Sequence, residues 1–225
     1  MYIAMRYIYY IMKKIFSIAL IFGVIFSCQQ DEIEYSCDAE INRIVKENKL
    51  EYSQILVTDL TIYDIVLQKA IFRSWDADKK RNAWLEKLLY IQNTFELTNS
   101  EYEHIQKLVD HIDVDYFEND NIQNFQNSRA AFAEEWINYA INELGWTEKF
   151  IAFLVFRLYT TQSQFETELE FTNLEFEQYS MYPAPENCNC NTSADFCSYS
   201  DCQQNGCTTT SGCGWLWSEP CNGSC

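Results

Sequence analysis

Apolar residues recur every three or four positions through the middle of the chain. In the segment DLTIYDIVLQKAIFRSW they fall at Ile62, Ile65, Val66, Ala70 and Ile71. This spacing places side chains on one face of an α-helix. We therefore expect a helix here with that face buried.

The next segment, residues 77–95, shows the same periodicity at Trp84, Leu88, Leu89 and Ile91. Either Ser74 or Asp76 can cap its N-terminus. A further helix should begin at TNSE, because Thr98 and Glu101 have the spacing of a capping box, in which each side chain satisfies a free backbone amide. We expect this helix to run to about Val114.

Two more helices are predicted before residue 160. Residues 124–144 carry an apolar residue at every fourth position, Phe132, Trp136, Ala140 and Leu144. Gly145 fits the left-handed position just beyond a helix end. Thr147 then opens the segment FIAFLVFRLY, which is apolar nearly all round and therefore suits the centre of a bundle.

Breaker residues are almost absent from this region. Between Cys37 and Ser180 there is one glycine and no proline, which is typical of a helical protein and not of a turn-rich β-sandwich. We predict a mainly α fold, an antiparallel bundle of about five or six helices over residues 38–180. Its core should contain the aromatic residues Trp84, Trp136, Trp146, Phe150, Phe153 and Phe156. The alternative is that these aromatic side chains line a ligand groove.

The composition changes abruptly at residues 181–187, a linker that contains Pro183 and Pro185. Residues 188–225 follow as a small disulfide-rich module, because so short a segment cannot fold on apolar burial alone. No histidine and no C-x-x-C knuckle accompanies its cysteines, so we expect disulfides and no metal. The eight cysteines are Cys188, Cys190, Cys197, Cys202, Cys207, Cys213, Cys221 and Cys225.

The N-terminus resembles a secretory signal. Lys13 and Lys14 precede the apolar run IFSIALIFGVIFS, and the run ends in IFSC like a bacterial lipobox. This resemblance implies a signal peptide over residues 1–27, cleavage before Cys28 and lipid attachment to that cysteine. Residues 28–37 would form an acidic tether. The alternative is an uncleaved transmembrane helix.

Cys37 is left over if Cys28 carries lipid and the tail cysteines pair among themselves. It could pair between molecules or remain a free tether thiol. If Cys28 carried no lipid, a bridge between Cys28 and Cys37 would be the natural alternative.

The tail also resembles a known family. The runs NCNCNTSADFC, GCGWLW and CNG, between Asn187 and Gly223, are similar to those of the lipoproteins described as bacteriocin fulvocin C-related. The spacings after Cys197 differ. The resemblance implies an exported outer-membrane or cell-surface lipoprotein with a bacteriocin-like tail, and it does not by itself imply killing activity.

The net charge of the chain excludes one class of binding partner. The net charge of −17 repels phosphate backbones, so we expect no nucleic acid partner. The two histidines, His104 and His111, are seven residues apart, not the four that suits two ligands on one helix, so we expect them on the solvated surface and not on a metal. No catalytic motif is present, and we expect neither an enzyme nor a cofactor.

Two functions fit these features. The first is a lipoprotein anchored in the membrane by its lipid, which displays the tail to bind a protein partner or to antagonise other bacteria. The second is a precursor that releases the tail as a bacteriocin, with the helical domain as leader or immunity partner. The candidate binding residues are Trp215, Leu216 and Trp217, which either form an exposed surface or pack against the disulfides.

Overall fold

The computed structural model describes residues 34–118, 123–158, 190–191, 202–204, 206, 208–209 and 211–224. All of them lie in one compact unit that spans residues 34–225. The predicted signal peptide and linker lie outside the described residues.

The described part of the chain is mainly α-helical, which confirms the predicted fold class. The seven α-helices are α1 (Ala39–Glu47), α2 (Lys49–Tyr52), α3 (Ile65–Ser74), α4 (Ala77–Thr94), α5 (Asn99–His111), α6 (Gln123–Asn142) and α7 (Glu148–Val155). Short 3-10 turns occupy Val57–Ile62 and Trp215–Trp217. The strands β1 (Gln203–Gln204) and β2 (Gly223–Ser224) pair antiparallel, with Gln203 opposite Ser224.

Side-chain caps fix several helix starts. Asp38 accepts from two backbone amides at the start of α1, and Asp64 does the same for α3. Asp76, one of the two predicted caps, accepts from Lys79 N at the start of α4. Each cap satisfies amides that would otherwise lack an intrahelical partner.

The segment that begins DLTIYDIV differs from the prediction. It contains two elements, because the chain is extended at Tyr63 and Asp64 before α3 begins. Ile62 is therefore 76% exposed and does not share the buried face of Ala70 and Ile71. Leu89, expected on the buried face of α4, is 44% exposed.

One hydrophobic core joins the helices. It contains every predicted core aromatic, with Phe150 only partly buried at its margin. Helix α1 packs against α3, α4 against α5, and α6 against α7. The same core also contains three residues of the tail, Trp215, Leu216 and Trp217.

Candidate functional site

The tail enters the helical core through a tight turn at residues 214–218, here called the tryptophan turn. The exposed fractions of Trp215, Leu216 and Trp217 are 1%, 0% and 0%. The sequence left open an exposed surface or packing against the disulfides, and the structure shows a third arrangement. The three side chains pack among the helices, whereas Cys213 and Cys221 form a separate buried cluster. This placement corrects the expectation of an exposed binding surface.

Trp217 contacts aromatic rings from two helices. Its ring centroid lies 5.3 Å from that of Phe72 in α3 and 6.0 Å from that of Trp84 in α4, both edge to face. Its indole Nε1 donates to the backbone oxygen of Phe156, 3.0 Å away. The indole therefore buries its apolar area and also satisfies its polar atom.

Trp215 packs on the other side of the turn. Its ring lies 5.4 Å from Trp136, and 6.4 Å from both Phe132 and Phe156. Its Nε1 atom is buried without a hydrogen-bond partner. A buried donor left unsatisfied costs about 1–3 kcal/mol, so aromatic packing has to outweigh that loss.

The backbone of the turn is unusual. Leu216 and Trp217 have φ values of 50° and 53°, in the left-handed region that bulky residues rarely adopt. The turn is closed by hydrogen bonds from Trp217 N to Gly214 O (3.1 Å) and from Ser218 N to Trp215 O (3.0 Å). This backbone conformation costs energy, and the packing of both indole rings in the core offsets that cost.

A disulfide clamps the base of the turn. Cys213 pairs with Cys221, with their Cα atoms 5.1 Å apart, and Cys213 and Glu219 exchange two backbone hydrogen bonds. A second disulfide joins Cys190 to Cys202. Both pairings agree with the predicted disulfide chemistry of the tail. The cysteines at positions 188, 197, 207 and 225 lie outside the described residues.

Cys37 also forms a disulfide, to a partner that lies outside the described residues. This finding corrects the free-thiol alternative. The alternative bridge from Cys37 to Cys28 stays a prediction, because Cys28 lies outside the described residues. Its side chain packs against the Cys213–Cys221 bridge. The beginning of the described chain is therefore in direct contact with the tail.

Two cations of α3 face the sulfur atoms of this bridge. Arg73 Nη2 lies 3.3 Å from Cys221 Sγ, and Lys69 Nζ lies 3.6 Å from Cys213 Sγ. Arg73 also donates to the backbone oxygen of Tyr35. Burial lowers the pKa of Arg73 to about 9, so the guanidinium remains charged at neutral pH and carries a desolvation penalty.

The close approach of Arg73 requires a glycine in the tail. Gly212 has a φ of +100°, and a Cβ atom on it would lie 2.3 Å from Arg73 Nε. Any other side chain there would collide with the guanidinium and would also strain the backbone.

Buried cations are a feature that the sequence analysis missed. Lys87 is fully buried, donates to the backbone oxygens of Phe153 and Arg157, and lies 4.5 Å from the Phe153 ring centroid. These cations lie within segments whose apolar periodicity gave no sign of them. The buried basic residues are Lys69, Arg73, Lys80, Lys87, Arg129 and Arg157.

His104 is buried and His111 is half-buried, which corrects the expectation that both lie on the solvated surface. His104 Nε2 lies 3.0 Å from Trp136 O, and the two rings stack 4.4 Å apart. Burial, opposed by that contact, lowers the pKa of His104 to about 4. His111 stacks on Phe132 at 3.6 Å, and burial lowers its pKa too. Both rings therefore act as neutral aromatic side chains at pH 7.

Among the described residues, no group of three or more His, Cys, Asp or Glu side chains could hold a metal ion. None of the helices described is both long and apolar enough to cross a bilayer. The lipidation candidate Cys28 lies outside the described residues.

Comparisons of the chain with protein-family models, with curated proteins and with solved structures found no match.

Proposed function

We propose that this protein is an exported lipoprotein, anchored through lipid on Cys28, which holds its cysteine-rich tail as a permanent part of one folded domain and binds a protein partner at the cell surface. The signal-like segment and the IFSC boundary support the export and the lipid. The similarity of the tail to bacteriocin-related lipoproteins suggests a role in contact between bacteria.

The observation that carries the proposal is the burial of Trp215, Leu216 and Trp217 among the helices. Truncating one buried aromatic or leucine residue to alanine typically costs about 2–5 kcal/mol. The whole stability of a domain is only about 5–15 kcal/mol. Release of the tail would therefore remove a large part of what stabilises the helices, which favours a retained tail over the precursor alternative.

Charge supports a protein partner. Four acidic residues and no Lys or Arg lie between Glu186 and Cys225. An acidic surface is repelled by anionic lipid headgroups and by nucleic acids. Because the tryptophan turn is buried, the partner would contact other, polar parts of the surface.

Mass spectrometry of the native protein from its own membrane tests the lipid and the retention of the tail together. We expect one chain that begins at a lipidated Cys28, retains the tail cysteines through Cys225 and shows no cut within residues 181–187. The Cys28→Ser variant should lose acyl labelling, while a variant at the preceding position, Ser27→Ala, should keep it. Unchanged labelling in Cys28→Ser would overturn the anchor.

An engineered cut tests retention directly. A specific protease site introduced into residues 181–187 of the full-length Cys37→Ser variant allows cleavage after folding. The substitution removes the disulfide of Cys37, so that this bridge cannot hold the two fragments together. We expect both fragments to elute together in native size-exclusion chromatography, with the circular dichroism of the helices unchanged. A tail that elutes separately from a still-folded helical fragment would favour the precursor that releases a bacteriocin.

A further inference from the structure

Three of the four most exposed large apolar side chains in the described chain lie within residues 50–62, which follow the predicted tether in the sequence. Leu50 is 77% exposed, Ile62 is 76% exposed and Leu56 is 66% exposed. Only Val114, at 65%, approaches these values among the large hydrophobic residues of the described chain. Isolated exposed leucines are common, but three within thirteen residues call for a physical reason.

The 3-10 turn Val57–Ile62 explains the direction of two of them. A 3-10 helix has three residues per turn, so every third residue lies in one row. Val57 and Leu60 form the buried row, with 7% and 0% exposure. Leu56, Asp59 and Ile62 form the opposite row, and all three are exposed. We call these three residues the outer row.

The outer row is held firmly in place. Lys79 of α4 donates to the backbone oxygens of Ser53 (2.6 Å) and Ile55 (2.8 Å), just before the row. Just after it, the Tyr63 ring packs edge to face on Tyr52, with centroids 5.9 Å apart. The two aliphatic side chains are thus presented by a fixed backbone and not by a loose loop.

The first described residues contact α1 and α2, the two helices that precede the outer row in the sequence. Lys46 Nζ lies 3.8 Å from Glu34 Oε1, and Lys49 Nζ lies 5.7 Å from the ring centroid of Tyr35. Leu50 follows Lys49 directly in α2. From Glu34 to Cys28 there are six peptide units, which span at most about 20 Å when fully extended.

From this arrangement we infer that Leu50 and the outer row form a membrane-facing surface that rests on the bilayer holding the acyl chains of Cys28. The inference rests on the proposed lipid anchor. A tether this short keeps the domain at a high local concentration over the bilayer. A few aliphatic side chains are then enough to hold this surface on the membrane, although they would not bind the membrane without the anchor. Leu56 and Ile62 enter the boundary between headgroups and acyl chains, and Asp59 between them remains in the hydrated headgroup layer.

Site-specific photo-crosslinking in the lipidated full-length protein tests this surface. Benzoylphenylalanine is placed at position 56, 62 or 114, one at a time, and the protein is reconstituted in nanodiscs of phosphatidylethanolamine and phosphatidylcholine, which carry no net charge. We expect crosslinks to phospholipid from positions 56 and 62, at yields severalfold above that from position 114. Val114 is the matched control, because it is as exposed as Leu56 and lies outside these elements.

The lipid anchor and the membrane-facing surface are tested by separate measurements. The mass of the purified protein first reports whether Cys28 carries lipid, and its absence would overturn the proposed anchor. If lipid is present but positions 56 and 62 crosslink to phospholipid no more than position 114 does, the anchor stands and the membrane-facing surface is wrong. Crosslinks from position 56 or 62 to a second copy of the chain would replace it with an interface between copies.

Discussion

The indole Nε1 of Trp217 donates a hydrogen bond to the backbone oxygen of Phe156, and this bond joins the tail to the end of α7. Phe156 directly follows α7, where backbone oxygens lack intrahelical partners. Lys87 donates to the oxygens of Phe153 and Arg157 in the same stretch. Side chains from the tail and from α4 therefore complete the C-terminus of α7, and a cation there also suits the helix dipole.

Replacement of Trp217 by alanine should destabilise the whole domain. The ring is fully buried, and its loss would leave a large cavity between Phe72 and Trp84. We expect the free energy of unfolding to fall by about 3–5 kcal/mol. Urea denaturation followed by the circular dichroism of the helices measures it.

Tyr90→Ala is the control for that measurement, because Tyr90 is an aromatic residue of α4 that is 40% exposed. Its effect should stay within about 1 kcal/mol, as is usual for surface substitutions. Equal effects of the two variants on the helical signal would show that the helices fold without the tail.

The parts of the fold that depend on neighbouring residues could be predicted from the sequence. The capping box is confirmed: Glu101 N donates to Thr98 Oγ1 at 3.3 Å, and Thr98 N donates to Glu101 Oε2 at 2.8 Å. Gly145 has the predicted left-handed φ, at 67°, shortly after α6. These features need only residues a few positions apart.

The contact between the tail and the helices could not be predicted in the same way. The GCGWLW motif gives no sign of which surface its tryptophans face, because Trp217 and Phe72 are separated by most of the chain. The buried cations escaped for a related reason. In the hydrophobic pattern of the sequence, a lysine such as Lys87 counts as a polar, solvent-facing position. Only the tertiary structure shows that its ammonium group donates a hydrogen bond to a backbone oxygen of α7.

Gly212→Ala should destabilise the protein, whereas Gly206→Ala should not. A methyl group at position 212 would collide with Arg73 Nε and strain a φ of +100°, whereas one at position 206 would meet nothing within 4 Å. We expect a loss of more than about 1 kcal/mol at position 212 and a change within about 0.5 kcal/mol at position 206. Thermal unfolding of both variants under oxidising conditions gives the comparison. A Gly212→Ala protein as stable as the wild type would mean that Arg73 does not approach the tail this closely.

Removing each disulfide in turn separates two contributions to stability, the entropy of loop closure in the unfolded chain and the contacts that the bridge makes in the folded protein. Loop closure alone favours the longer Cys190–Cys202 loop, with roughly 3 kcal/mol against roughly 2.5 kcal/mol for Cys213–Cys221. The second bridge, however, also contacts Arg73 and holds the tryptophan turn. We therefore expect the paired Ser variant of Cys213 and Cys221 to lose more stability than that of Cys190 and Cys202, as measured by urea unfolding. The reverse order would show that unfolded-state entropy dominates.

The two histidines should make the protein less stable in mild acid. Burial lowers the pKa of His104 to about 4, whereas the unfolded chain binds this proton near the ordinary value of 6.5. The contribution of the neutral ring is complete above pH 6.5 and is lost as the pH falls towards 4, because the unfolded state binds more protons in that range. His111 acts in the same direction, since burial lowers its pKa as well. Each histidine can contribute a slope of at most about 1.4 kcal/mol per pH unit.

Urea unfolding at several pH values between 7 and 4.5 isolates this effect from that of the carboxylates. We expect His104→Gln to reduce the slope of stability against pH, because the carboxylates remain and only one titrating ring is gone. Ile105→Val is the matched control: Ile105 is a buried neighbour in α5 whose truncation costs about 0.5–1.5 kcal/mol without removing a titrating group. That variant should lower stability at every pH and keep the wild-type slope. If His104→Gln also keeps the wild-type slope, His104 accepts a proton in the folded protein as easily as in the unfolded chain, and its burial between Trp136 and Tyr139 does not hold the ring neutral.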